Sequence, residues 1–543
     1  MLGHSALAEA PIGAADNAIR ITLTGTADLW ALLKPGTATL RASASLAVSA
    51  DNRILAASDD YISRASDRIA NRLFAGTLRQ ALRFNRSIMG GAGFEGFSLG
   101  LGEAILTNAG GEYDGLVGSH AFDGRHVVIR LGDADSAHDT FGVVFSGQST
   151  CYHVNGEEFV LELRDNAYLL DVPASAETFA GTGGIEGGED LKGRRKPRPF
   201  GVCENVPAVA LTPNTSLLFA VGSGRVQAIP AVYVRGSKIV PAQDHATPDA
   251  LAAATIANGT YHTCLAKAVF RLKEIPVSDL GQVTADVDGE LLDGAHAQTT
   301  ADIVALLARG ASGVVIDAAS FARTRAMQPA PISYYLQTGD EATIAQVIAT
   351  LMRGIGGWGG FRRNGQFEIG IVQAPKGDPA ATRVSDIEII SINREPLPDA
   401  IDPPPYRMRA AWGRNWTVQT DSLAGSVSAD RLAWLKESFR VSEPVEDATI
   451  RVNHPLAQDP AVLPTFFRYE ADARKEARRQ LVLWRGITSL YRIQLRIAPF
   501  SVDLGKELHV TYPRWDLASG KSFALSEVDE DTENTIVEVL AYG

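Results

Sequence analysis

At 543 residues the chain is too long for one ordinary hydrophobic core, so three or four domains are expected. Hydrophobic residues make up 45% and charged residues 21%, a balance that excludes large-scale disorder. The net charge of −12 argues against a sequence-reading nucleic-acid binder, and suits a surface that a polyanion passes without sticking.

In chain order, the first 170 residues read mainly as β-structure with turns. Residues 19–24 and 37–48 alternate in the manner of half-buried strands. Residues 62–84 carry a mixed pattern that permits a helix. Short strands are expected at 103–106, 126–131, 142–146 and 159–164, each beside Gly, Asp or Asn, a spacing that suits a barrel or sandwich. Residues 171–200 change character: GTGGIEGGEDLKGRRKPRP is rich in Gly and charge and reads as a long connection. Strands resume at 206–211, 216–221, 231–234 and 268–272.

Residues 298–372 read as an α+β module. Thr300 can cap a helix whose face carries Ile303, Leu306 and Leu307, ended by Gly310. Asp340 likewise precedes a second helix with Ile344, Val347, Ile348 and Leu351 on one face, stopped by Gly354. Asn364-Gly365 can take φ > 0 at both central turn positions, so 358–363 and 366–372 form a hairpin. The prolines of REPLPDAIDPPP break the chain near 394–405. A strand follows at 406–412, then a short helix capped by Ser428 with Leu432, Leu435 and Phe439 on one face. A longer helix is expected over 466–484. Its stripe is Phe466, Tyr469, Ala473, Ala477, Leu481 and Trp484, opposed by a solvated face of Arg474, Lys475, Arg478 and Arg479. Strands at 491–497, 507–512 and 535–540 close the chain.

Chemistry-bearing motifs are sparse. There is no GxSxG nucleophile elbow, and GTGGIEGG lacks the GK[ST] ending of a phosphate loop. Gly354–Gly360 lies between helix and hairpin, the reverse of the order a dinucleotide site needs. Asp286–Glu290 (DVDGE) lacks the later positions of a calcium loop and reads as a solvated turn. His262 with Cys264 and Cys151 with His153 pair a thiol and an imidazole, but no orienting third group accompanies either. The three cysteines, Cys151, Cys203 and Cys264, are scattered, so neither a disulfide framework nor a zinc site is indicated, and three small buried side chains are expected. No catalytic residue, cofactor or metal is expected. The N-terminus lacks a basic region followed by an apolar one, and no run of about 18 apolar residues occurs, so neither a signal peptide nor a membrane span is expected. The one concentrated positive patch is Lys192, Arg194, Arg195, Lys196 and Arg198, which reads as a grip on a neighbouring acidic subunit, a contact to phosphate, or an exposed loop kept soluble by charge.

Several runs together resemble a family of tail-tip and baseplate hub proteins of long-tailed bacteriophages, encoded by phages and prophages of proteobacteria. They are GEAILTNAGGEYDGLVGSHAFDGRHVVIRLG (102–132), LELRDNAYLLDVP (161–173), LKGRRKPRPFGVCENVPAV (191–209), VQAIPAVYVRG (226–236), GQVTADVDG (281–289), GWGGFRRNGQFEIGIVQAP (357–375), RMRAAWGRNWTVQ (407–419) and AGSVSADRLAWLKESFR (424–440). Their joint order over roughly residues 60–543 carries the resemblance. It implies an α+β, β-rich multidomain chain with two tube-like β-barrel domains and peripheral α+β domains, and an extended 62–84. The divisions are an N-terminal tube-like domain over 1–170, a glycine-rich connection and β domain over 171–297, a peripheral α+β module over 298–390, and a second tube-like domain over 391–543.

The resemblance further implies a homotrimer around the DNA channel of a virion, made in the host cytoplasm and without enzymatic activity. Its implied partners are tail-tube or distal-tail, tape-measure and tail-fibre or tip proteins, with DNA passing through unread. The competing expectation is a receptor-binding or cell-wall-degrading tip protein.

Overall fold

The computed structural model describes residues 21–23, 40–47, 53–90, 93–212, 217–273, 280–398, 402–483, 485–486 and 488–543. Parts of the expected strands at 19–24, 37–48 and 216–221, and Trp484 of the expected helix, lie outside the described residues.

The architecture is β-rich, and its largest element is a 14-stranded sheet. Its path runs Ile389–Glu395, Leu490–Leu495, Ile536–Tyr542, Lys521–Asp531, Leu78–Ser87, Gly100–Thr107, Glu158–Arg164, Gly142–Val154, His126–Asp133, Ile21–Leu23, Leu40–Ala47 and Arg53–Ala57. The first and last segments of the chain therefore share one sheet. They meet where Lys521–Asp531 pairs antiparallel with Leu78–Ser87, from Glu527 opposite Ser87 to Asp531 opposite Arg83. This seam joins strands that are neighbours in space and remote in sequence.

The 62–84 stretch is extended rather than helical: Tyr61–Ile62, Leu73–Phe74 and Leu78–Ser87 are strands. Leu78, Gln80, Leu82, Phe84 and Arg86 are buried while Arg79 and Arg83 are exposed. That period of two is a strand's signature, diluted in the sequence by the turn at 63–72.

Residues 198–292 build most of a second, 10-stranded sheet, which borrows Ser333–Leu336 from the next module through pairing with Arg198–Gly201. Asp286–Glu290 lies inside the Val283–Leu292 strand, not in a turn: Asp286 accepts from the Tyr233 hydroxyl at 2.7 Å and from the Asn205 amide at 2.9 Å.

In the α+β module the helices are Thr300–Gly310, Ala318–Met327 and Ile344–Gly354. Thr299, not Thr300, caps the first, in a reciprocal pair with Asp302. Thr343 caps the third with Gln346, and Asp340 instead accepts from the Ala342 amide upstream. The hairpin pairs Gly357–Phe361 with Gln366–Ile371. Its turn differs from expectation, because only Gly365 takes positive φ, at 84°. The Gly365 amide donates to Arg362 O and the Arg362 amide to Gln366 O, a three-residue loop ending in a left-handed glycine.

Ser428 caps Ala429–Leu435 as expected, but Phe439 falls beyond that helix. The longer helix spans only Glu470–Val482. Its start is delayed because the preceding backbone is engaged elsewhere: Ile332 bridges Phe467 and the Ser333 amide donates to Phe466 O. Arg479 leaves the expected solvated face. It pairs with fully buried Glu476 at 2.6 Å and donates to Val372 O and Ile355 O, stitching the helix to the hairpin's end. The main core runs continuously from this module into the C-terminal strands, with a second core under the N-terminal strands and a third in the middle sheet.

Candidate functional site: a polar sheet face with a charged seam beneath it

Strand pairing places residues in rows across the large sheet. One row reads Ser391, Gln494, Glu538, Asp529, Asn85, Leu101, Arg164 and Gln148, one residue from each of eight strands. The row beside it contains Asp531, Arg83, Glu103, Glu162 and Cys151. Because side chains alternate, the residues one position off these rows point the other way: Ile493, Val539, Val528, Phe84, Leu161 and Leu163 are all buried. The sheet thus has one core face and one largely polar face, and the polar face crosses the seam from Asp529 to Asn85 before it meets the exposed Leu101.

Its charge is uneven. Glu103, Glu162, Glu527, Asp529, Asp531 and Glu538 stand against Arg83, Arg164 and Arg492. Arg492 contacts Glu395 at 2.6 Å, Glu538 at 3.0 Å and Glu527 at 3.7 Å, and its guanidinium is held above its usual range, first by the Glu395 hydrogen bond. Asn85 donates to Glu527 at 2.9 Å and Gln494 to Glu538 at 3.1 Å. Excess carboxylate along a surface of this kind repels phosphate.

Behind the same seam, on the core side, lie charged groups that the sequence reading did not single out. Arg86, whose side chain is 4% exposed, pairs with Glu368 at 2.6 Å and Asp503 at 2.8 Å. Arg362 pairs with Glu368 at 2.6 Å, and Arg363 with Glu530 at 3.2 Å while lying 4.7 Å over the Phe500 ring. Burial raises the Glu530 carboxyl to about 7 and the Asp165 carboxyl to about 6. Burial also works against Asp503, but Arg86, Arg363 and Arg362 outweigh it and hold that carboxyl low. The signal available in the sequence was Arg86 two positions from Phe84 on the strand's apolar side.

The basic run is largely used within the chain. Arg198 grips Glu290 through both oxygens at 2.6 and 2.8 Å. Lys196 pairs with Glu186 at 2.8 Å, and that hydrogen bond holds the Glu186 carboxyl below its usual range. Arg195 donates to Ser175 O, and Lys192 reaches Glu189 in the open. Among the described residues Arg194 has no ion pair. Lys192, Arg194 and Arg195 line a polar cleft of about 620 Å³ with Thr178, Thr338 and Glu341.

The thiol–imidazole pairs do not form: His262 bonds His245 at 2.9 Å, while Cys264 is buried. Cys151 is exposed, on the polar face, against the expectation of three buried thiols. Among the described residues no helix is long and apolar enough to cross a membrane.

No protein-family model and no curated protein matches the sequence. Solved structures do. A tail protein from Neisseria meningitidis is 10% identical, over 86% of this chain and 95% of its own, with a TM-score of 0.39. The 43 kDa tail protein of prophage MuSo2 from Shewanella oneidensis is 9% identical, over 87% and 94%, at 0.38. A chain of the virion of a native gene transfer agent particle is 16% identical, over 65% and 84%, at 0.40.

Proposed function

We propose that the chain is a non-enzymatic structural subunit of a phage tail tip or baseplate, forming a homotrimeric hub around the DNA channel. The observation that carries this is the largely polar face that crosses the seam. Eight strands per chain line it, so three copies supply twenty-four. At roughly 4.8 Å between strands they close a circumference of about 115 Å, or about 37 Å across before strand tilt widens it. Such a bore passes duplex DNA, and its carboxylate excess lets the polyanion slide without binding. A closed ring also covers the open sheet edge at Ile389–Glu395, where Ile390 is 45% exposed.

In this reading the two tube-like units lie within residues 1–170 and 391–543, which places six such units in a trimer. The hub closes the tail tube and anchors tip or fibre proteins, with tail-tube or distal-tail and tape-measure proteins as neighbours. Lys192, Arg194 and Arg195 contact an acidic surface of an adjoining subunit, whereas Lys196 and Arg198 serve the chain's own fold.

The test is native mass measurement of the purified protein, combined with its copy number and position in an intact particle. A species three times the 57.9 kDa chain, sited at the tail tip, is expected. A compact monomer that clears purified cell wall, with clearing lost on changing one carboxylate, overturns the reading.

A further inference from the structure

The outer stripe of the Glu470–Val482 helix is left unused by the fold. Arg474, Lys475 and Arg478 are exposed and, unlike Arg479, make no ion pair among the described residues. Of the carboxylates on this helix, Glu476 is taken by Arg479 at 2.6 Å and Glu470 accepts from the Glu443 amide at 3.0 Å, which leaves Asp472. The stripe runs at helical spacing to Val482, which is 48% exposed. That end of the helix is tied to the short Ala448–Asn453 helix. The Asn453 side-chain amide donates to Arg485 O at 3.0 Å, and Arg485 reaches Asp447 at 3.4 Å. Val452 and Leu456 stand there, 77% and 79% exposed. A basic stripe thus leads to protruding aliphatic side chains.

Like charges three and four residues apart on a helix repel, and an anionic partner relieves them. The aliphatic groups decide which anion. Duplex nucleic acid supplies phosphate but gives Val452 and Leu456 no apolar bed. A second copy of the chain needs roughly 800 Å² per partner, packed like a core, whereas three aliphatic side chains on a helix end and a turn supply far less. A bilayer of anionic phospholipid needs neither groove nor area. Each cation at its surface gains about fivefold in partition, and a few aliphatic side chains dip among the headgroups.

We propose that this surface is a peripheral contact for anionic phospholipid, in which Arg474, Lys475 and Arg478 meet lipid phosphates and Val452 and Leu456 enter the headgroup layer. The contact is shallow and reversible. It goes beyond the hub reading and does not depend on it, since a single subunit carries every group involved.

Sedimentation of the full-length protein with vesicles tests this. The protein should partition onto phosphatidylcholine vesicles containing about 30% phosphatidylglycerol, at least about tenfold more weakly onto pure phosphatidylcholine, and less as salt is raised. The triple change Arg474→Gln, Lys475→Gln and Arg478→Gln should lower partition onto the anionic vesicles at least about tenfold. Val452→Ser with Leu456→Ser alters no charge and should lower it at least about threefold. All five side chains are exposed, so both variants should melt with the parent. Absence of partition by the parent, equal partition onto both vesicle types, or partition unmoved by either variant overturns the proposal. So does a native mass that falls in either variant, because the occupant is then a second copy.

Discussion

Arg83 reaches Asp529 at 3.2 Å across the seam, joining strands 446 residues apart in sequence. Three positions along the same strand, Arg86 makes a similar bond on the core side. The two differ in solvent, since the Arg83 side chain is 53% exposed and that of Arg86 4%. Arg83→Ala should therefore cost less than about 1 kcal/mol. Arg86→Ala removes one of the two cations on buried Glu368 and the nearest cation to Asp503, and should cost roughly 3 kcal/mol. Denaturant melts of the two variants measure the contrast; equal losses would contradict it.

Asp165 carries a pH signature. Burial raises its carboxyl to about 6, so its protonated form favours the fold. The contribution is complete below about 4 and is lost as pH rises through 6. Asp165→Asn cannot ionise, and its single amide oxygen can accept from only one of the Gly100 and Ala167 amides, a cost that does not vary with pH. Its stability relative to the parent should improve by up to about 3 kcal/mol between pH 4 and pH 8. Paired unfolding curves at the two pH values read this directly.

Gly201 sits where the middle sheet takes in Ser333–Leu336, at φ of 68°, and an added Cβ would stand 1.9 Å from Ile332 O. Neither the backbone angle nor the space admits a side chain. Gly201→Ala should lose roughly 2–4 kcal/mol, seen as a lowered Tm.

Lys192 and Arg194 can be reversed in charge with little effect on the subunit itself, because Lys192 has only an exposed partner and Arg194 none among the described residues. The double change Lys192→Glu and Arg194→Glu should leave the melt within about 0.5 kcal/mol. It should weaken self-association at least about tenfold if the cleft meets an acidic neighbour. Sedimentation at matched concentrations separates the two effects.

Local structure was legible where a short segment determines itself. Asn364-Gly365 announces the hairpin, and Ser428 and the Ile344 stripe announce helices. The caps at Thr299 and Thr343 were displaced from expectation because several polar residues precede each helix and only the fold chooses among them. The Lys521–Asp531 strand escaped notice. Its charged half belongs to the polar face, and a bulge between Leu525 and Glu527 breaks the alternation. The seam was beyond local reading altogether, since nothing within a few residues of Arg83 points to Asp529. The same holds for the ionic cluster, whose members are drawn from segments far apart in sequence.

A hairpin tip is ordinarily where a chain accepts an inserted tag or domain. At Asn364-Gly365 that freedom is gone: the turn backs onto Ser146, whose side chain lies 3.1 Å from where a Gly365 Cβ would sit, and Asn166 donates to Gly365 O. A label placed there would pry the module from the N-terminal strands, whereas the exposed stretch near Glu189 and Asp190 offers room for one.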